Sequence, residues 1–267
     1  IYGMITGESI GDLFLSGIVP GLIFGFMLCI MVFIKSKKNG WKGETQRASL
    51  KEIGRLFLDT IWGLLSPVIV LGGIYSGLFT PTEAAAVAVV YSLIVGIFIY
   101  KELRLAELKE TLFSTAKTTG MILLIIMNAG IFSWVLTQQG IAASLTEMAL
   151  ALTDNKYIML VIINIVFLCA GCVMDNTSAL YILVPIIMPI AKALDINMIQ
   201  LGVILVLNLS IGQVTPPVGP NLYVAADIGK VKFEEICRKM VPLLLMSLLA
   251  LLCITYIPAL SLCLIPS

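Results

Sequence analysis

The chain has 267 residues, 59% of them hydrophobic and only 12% charged, with a mean hydropathy of +1.04. A soluble domain carries about 25% charged residues, so this composition excludes an ordinary globular protein and points to an all-α integral membrane protein in a lipid bilayer. The net charge of +1 offers no argument for a nucleic-acid partner, and the chain has no His. No two carboxylates lie close together in its apolar segments, so an enzyme has no evident acid–base pair or metal set to work with.

The charges are unevenly placed. Fifteen of the seventeen Lys and Arg fall in Lys35 to Arg55, Lys101 to Lys117 and Lys230 to Lys239. Basic loops mark the cytoplasmic side, which predicts three cytoplasmic segments. In chain order, residues 10–34 read as a clean span entering the cytoplasm at Lys35. Residues 47–60 mix Arg47, Lys51, Glu52, Arg55 and Asp59 with an apolar stripe at helical spacing, the pattern of an interfacial helix on the membrane surface. Residues 61–79 and 82–100 leave and return around Thr80-Pro81-Thr82-Glu83. There Thr80 reads as an N-cap, Pro81 as the first helical residue and Glu83 as its capping-box partner.

Residues 118–137 cross outward, ending near Gln138 and Gln139. Residues 157–174 and 179–194 form a pair of apolar arms, 199–228 one interrupted span, and 241–265 a last crossing. An odd number of crossings must separate the second and third basic loops, and a pair plus one satisfies it. Parity does not separate two full spans from a re-entrant hairpin; a tip with one Asp and no Lys or Arg favours a hairpin buried in protein. The expected organisation is scaffold spans over 1–117, a connecting span and short helix over 118–153, a hairpin and broken helix over 154–229, and a loop with the last span over 230–267. The chain opens at Ile1 without an initiator Met and reads as a fragment.

Two polar, helix-breaking runs carry the functional signal: Met174-Asp-Asn-Thr-Ser178 and Gly212-Gln-Val-Thr-Pro-Pro-Val-Gly219. Within a bilayer, broken helices survive only inside protein or beside a polar cavity. Two such breaks point to a midplane binding site of the kind secondary transporters use. At each break a helix end offers carbonyls to a cation, and the next helix start offers N–H groups to an anion. The Pro216-Pro217 pair lacks two backbone donors, leaving carbonyls between Gly212 and Thr215 for a hard cation. Asp175 is the one carboxylate deep in this half of the chain, and a charge there is a functional signal by default; the competing reading is a cap of its own turn. Asn128, Asn164 and Asn208 read as interhelical hydrogen bonds, Asn208 being the best placed to support the site. Cys169-Ala-Gly-Cys172 has redox or zinc spacing, but in an apolar helix it reads as close packing.

Gly77-Leu-Phe-Thr-Pro-Thr-Glu-Ala-Ala-Ala86, Met174-Asp-Asn-Thr-Ser-Ala-Leu-Tyr-Ile-Leu-Val-Pro185, Leu207-Asn-Leu-Ser-Ile-Gly-Gln-Val-Thr-Pro-Pro-Val-Gly219 and Ile254-Thr-Tyr-Ile-Pro258 together resemble the large membrane subunit of tripartite ATP-independent periplasmic (TRAP) transporters. The resemblance covers essentially the whole chain. It implies an elevator-type transporter in the bacterial inner membrane, with a re-entrant hairpin and a broken helix that make half of an inverted repeat. It also implies Na+ as coupling ion, a small membrane subunit (separate or fused) and a periplasmic substrate-binding protein. Its substrates would be organic acids, with sialic acid expected ahead of a C4-dicarboxylate because Asp175 suits a hydroxyl-rich monocarboxylate. The family's first hairpin and first broken helix would precede Ile1. The expected substrate residues are Asp175, Asn176, Thr177, Ser178, Pro217, Gly219 and Asn221, and the expected Na+ ligands Gly171, Asp175, Asn176, Gly212, Val214 and Thr215. A stand-alone sodium–dicarboxylate symporter is the alternative within the class, and an ion channel the alternative outside it.

Overall fold

A computed structural model describes residues 1–41 and 49–265. Among these the chain is helical throughout, without strands. In order, the helices are α1 (Tyr2–Thr6), α2 (Ile10–Asn39), α3 (Leu50–Tyr75), α4 (Pro81–Ile94, prolonged by a π-helical turn Val95–Ile99) and α5 (Leu105–Gln138). Then follow α6 (Ile141–Leu152), α7 (Lys156–Val173), α8 (Asn176–Ala193), α9 (Met198–Gly212), α10 (Pro220–Gly229), α11 (Phe233–Tyr256) and α12 (Ala259–Leu262). Seven of the described helices are long and apolar enough to cross a membrane.

Contacts divide the chain into two units, 1–40 with 125–267, and 41–124. The expected single block 1–117 is therefore split, because α1 and α2 pack on the helices of the C-terminal half. Tyr2 donates its hydroxyl to Met198 O at 2.6 Å and lays its ring on Gly202, where a Cβ would come within 2.6 Å of Tyr2 Cε1. Lys35 Nζ donates to Lys239 O at 2.7 Å, tying the end of α2 to α11.

In the smaller unit, the amphipathic segment is not a separate helix. From Leu50 it runs without interruption into the span as α3, since no Gly or Pro stands between Gly54 and Gly63 to end it. Arg47, which belonged to the expected basic face, lies outside the described residues. The turn before α4 follows the capping-box expectation. Thr80 N donates to Glu83 Oε2 at 2.8 Å, and Glu83 N donates to Thr80 Oγ1 at 3.3 Å. Tyr91 and Tyr100 donate their hydroxyls to Trp62 O (2.7 Å) and Asp59 O (3.0 Å), holding the returning helix against α3.

The larger unit is built around α7 and α9. Phe167, Ile163, Leu201, Ile204, Leu205, Leu209 and Ile211 are fully buried between and around them. Asn164 stands opposite Asn208, and Gly171 opposite Gly212, so the two helices run in the same direction and end together. Their approach is backbone to backbone. A Cβ on Gly171 would lie 2.9 Å from Leu209 O, and one on Gly212 would lie 2.7 Å from Gly171 Cα. Small residues at such crossings are the usual means of bringing membrane helices close. The buried amides add direction: Asn208 Nδ2 donates to Asn164 Oδ1 (2.7 Å) and Asn164 O (2.8 Å), and Asn164 Nδ2 donates to Thr255 Oγ1 of α11 (3.1 Å). Gln200 Nε2 donates to Thr255 O at 3.0 Å. Asn164 and Asn208 thus make the interhelical bonds expected of them.

Outward faces are apolar as well. In α2, Phe14, Leu22, Phe26 and Phe33 are all exposed, and a helix that is hydrophobic all round without protein cover is a membrane span. By contrast, α7 and α8 each bury one face against their unit, with Met159, Ile163 and Phe167 of α7 and Ala179, Val184 and Ala191 of α8 buried, while Ile165 and Val173 on the other face of α7 are exposed.

The glycine crossing generates a direct prediction. Gly212→Ala forces a methyl into the backbone of α7, an overpacking that costs about 1–3 kcal/mol, so thermal unfolding of the detergent-purified protein shifts downward. Gly21→Ala, where a Cβ meets nothing within 4 Å, leaves the melting temperature unchanged or raised, because Ala is the better helix former. Equal melting of the two variants would show that the crossing is not tight.

Candidate functional site

The first break is shorter than its polar run. Only Met174 and Asp175 are non-helical, both in extended conformation, and α8 begins at Asn176. The earlier start of α8 has a local cause. Asp175 is its N-cap: Oδ2 accepts from Ser178 N at 3.1 Å and Oδ1 accepts from the Ser178 hydroxyl at 2.6 Å. A carboxylate in that position satisfies an otherwise orphaned N–H and suits the positive end of the helix. Asp175 is therefore first a cap, and it remains exposed. On the other side of the turn, Met174 N closes on Ala170 O at 2.9 Å. That leaves the carbonyls of Gly171, Cys172 and Val173 as the helix's terminal ones, without an intrahelical donor.

The second break spans 213–219, between Gly212 at the end of α9 and Pro220 at the start of α10. The Pro216–Pro217 bond is cis. The carbonyls here are partly used. Gly212 O accepts from Thr215 N (2.9 Å), and Gln213 O accepts from Asn221 N (3.2 Å). Each carbonyl has two lone pairs, so these bonds leave one for another partner. Thr215 donates its hydroxyl to Ile211 O at 2.7 Å, which turns its own oxygen lone pairs away from that carbonyl. Gly219 takes φ +42, and a Cβ there would come within 2.9 Å of Thr215 O; only glycine lets the chain fold back so tightly into α10.

Because α7 and α9 run in parallel and touch at Gly171 and Gly212, their two C-terminal ends lie side by side. Each carries roughly half a negative charge, and the expected cation ligands Gly171, Gly212, Val214 and Thr215 surround that junction. The N-terminal ends of α8 and α10 come to the same place, linked by a residue absent from the expected set. Gln213 Nε2 donates to Asn176 Oδ1 at 2.9 Å, and Asn221 Nδ2 donates to Gln213 Oε1 at 3.0 Å. The structure thus brings Asp175, Asn176, Thr177 and Ser178 at the start of α8 to the same break as Asn221. Pro217 is exposed and Gly219 buried at the base of that break. Gln213 stood inside a recognised polar run; its only signal was an amide one residue past a helix-ending glycine.

A model of the family described as "Tripartite ATP-independent periplasmic transporter, DctM component" matches residues 1–260. The chain belongs to that family. It is similar to the C4-dicarboxylate TRAP transporter large permease protein DctM of Pseudomonas aeruginosa, 42% identical over 99% of this chain and 62% of that protein. It is similar as well to the isethionate TRAP transporter permease protein DctMQ of Oleidesulfovibrio alaskensis, 40% identical over 97% of this chain and 41% of that one. The sialic acid TRAP transporter large permease protein SiaM of Vibrio cholerae is 36% identical over 98% of this chain and 61% of its own length. The chain thus spans about 40 to 60% of the length of these relatives. As a TRAP permease family member with seven candidate transmembrane helices, it is a multi-pass inner-membrane protein.

The cap at Asp175 separates charge from hydrogen bonding. Asp175→Asn keeps an N-cap acceptor and leaves thermal stability within a few tenths of a kcal/mol, whereas Asp175→Ala removes it and costs about 1 kcal/mol. Melting curves of the two variants in the same detergent read the difference; indistinguishable curves would show that the cap does not contribute.

Proposed function

We propose that this chain is part of a Na+-coupled secondary transporter that takes up an organic acid handed over by a periplasmic binding protein, working by elevator alternating access beside a small membrane subunit. The observation that carries the reading is the meeting of four helix ends at two adjacent breaks. Two negative ends abut at Gly171 and Gly212, and two positive ends start at Asn176 and Pro220. Such a junction stabilises a cation and an anion close together, which is what coupled uptake of an anion requires.

In this reading Na+ is cargo, held by carbonyls at Gly171, Gly212 and Val214 and by the Thr215 hydroxyl, a set of hard oxygens suited to a hard cation. The anionic group of the substrate is met by Asn176 and Thr177 at the start of α8 and by Asn221 beside Pro217 and Gly219, while Ser178 directs both its donors to Asp175. Ser178 donates once to each Asp175 oxygen, which leaves a lone pair on each for a substrate hydroxyl. Within the proposed class of organic acids, sialic acid therefore keeps its place ahead of a C4-dicarboxylate. The substrates for which the relatives are named, a C4-dicarboxylate, isethionate and a sialic acid, share an anionic group and little else.

The test is uptake into proteoliposomes holding the full-length protein, its small subunit and its binding protein, with radiolabelled succinate, isethionate and N-acetylneuraminate. One of these acids accumulates only with an inward Na+ gradient and the binding protein present. Uptake independent of the binding protein would favour a stand-alone symporter, and ohmic conductance without saturation a channel. Thr215→Val, which removes one hydroxyl oxygen, raises the Na+ concentration for half-maximal uptake several-fold, as expected for the loss of roughly one hydrogen-bond-sized interaction. A Na+ titration superimposable on the wild type would remove Thr215 from the ion site.

A further inference from the structure

The amide chain Asn176–Gln213–Asn221 has a use beyond holding the breaks together. A Gln side chain has one acceptor oxygen and two N–H donors. Gln213 uses the oxygen on Asn221 Nδ2 and one N–H on Asn176 Oδ1. Its backbone is fixed at the same time: Gln213 N donates to Leu209 O at 3.0 Å, and Gln213 O accepts from Asn221 N. The side chain therefore springs from a rigid point at the end of α9 and reaches the first residue of α8. With Asn176 Oδ1 accepting from Gln213, the amide is oriented with its Nδ2, a donor, on the far side, while Oδ1 keeps one lone pair. That donor has the same sign as the free N–H groups of the helix it begins.

Building on the anion-uptake reading above, we propose that Gln213 is a positioning residue that ties the tip between α7 and α8 to the second break and turns the Asn176 amide so that Nδ2 donates toward the anionic group of the substrate. Asn176, which fits both the ion set and the substrate set by residue type, is thereby assigned to the substrate. The opposite amide order, with Nδ2 donating to Gln213, would turn the Asn176 oxygen outward and put it with Na+. The two orders predict different kinetics.

A double-mutant cycle on the full-length transporter, with its small subunit and binding protein, decides it. The variants are Asn176→Ala, Gln213→Ala and the pair. In proteoliposomes given succinate, isethionate or N-acetylneuraminate, Gln213→Ala raises the KM for the accepted acid about 2- to 10-fold, the size of one hydrogen bond. It leaves the Na+ half-saturation at its wild-type value, and the two single variants combine less than additively in the double, because Gln213 acts in part through Asn176 and in part through Asn221. Additive effects on KM, or a raised Na+ half-saturation with KM unchanged, would overturn the assignment. A loss of maximal rate alone, with KM intact, would show a purely structural role and overturn it too.

A substrate-free readout accompanies the kinetics. Hydrogen–deuterium exchange of segment 174–180 in the detergent-purified complex speeds up about 2- to 10-fold in both single variants and no further in the double. Wild-type exchange in Gln213→Ala would overturn the tie. Absence of uptake by the wild type would count against the proposed function alone, since the exchange cycle decides the tie without any substrate.

Discussion

The contact between Gly171 and Gly212 is the constraint on which the rest of the site depends. Two helices that touch through their backbones leave no room for even a methyl between them at these positions. Their shared direction means that both reach their last turn at the same place. Antiparallel helices crossing there would have put one negative end beside one positive end, and the two dipoles would have cancelled. The parallel pair instead concentrates negative potential at one point, while the helices that restart beyond the breaks supply the opposite sign nearby.

A junction of like helix ends is unfavourable unless something holds it, and the larger unit provides that hold below the break. The Asn208–Asn164–Thr255 hydrogen bonds, with Gln200 on Thr255 O, join α7, α9 and α11 in the buried interior. In a bilayer such bonds are worth only about 0.6 kcal/mol each on average. Their main effect is register: an amide pair at 164 and 208 fits one relative height of the helices, and that height sets Gly171 against Gly212. The fully buried Phe167 and Leu209 lie between the amides and the glycines along α7 and α9. The break is thus positioned from below by packing rather than by its own residues.

Much of this was legible from residue types, because Pro, Gly and capping residues act locally. Thr80-Pro81-Thr82-Glu83 restarts a helix for reasons contained within four residues, and Gly212 with Pro216-Pro217 ends one in the same way. What failed to read locally depended on partners far along the chain. The polar run 174–178 looks like a five-residue break, yet three of its residues are helical because Asp175 caps them. The amphipathic pattern at 47–60 looks like an independent surface helix, but from Leu50 onward nothing in the sequence stops it from continuing into the span. Residues 10–39 read as one block with the spans that follow, whereas Tyr2 and Lys35 find their partners at Met198 and Lys239. Gln213 is the sharpest case. Its neighbours in sequence identify a break, but its partners at 176 and 221 are known only once α7 and α9 are side by side.

The open side of the site adds a last constraint. Asp175, Pro217, Val218 and Asn221 are exposed on the face where the helix ends meet, while the opposite side of the same break, at Gly212 and Gly219, is buried. Irregular backbone and a carboxylate are not tolerated against hydrocarbon, so this face borders water or other protein. Gln213 lies at the boundary, half-buried, with its bonds running from the buried end of α9 out to Asn176 and Asn221. A cargo arriving on the open face therefore meets groups whose positions are set by the packed interior behind them, with Gln213 as a direct side-chain link from α9 to Asn176 and Asn221 on that face.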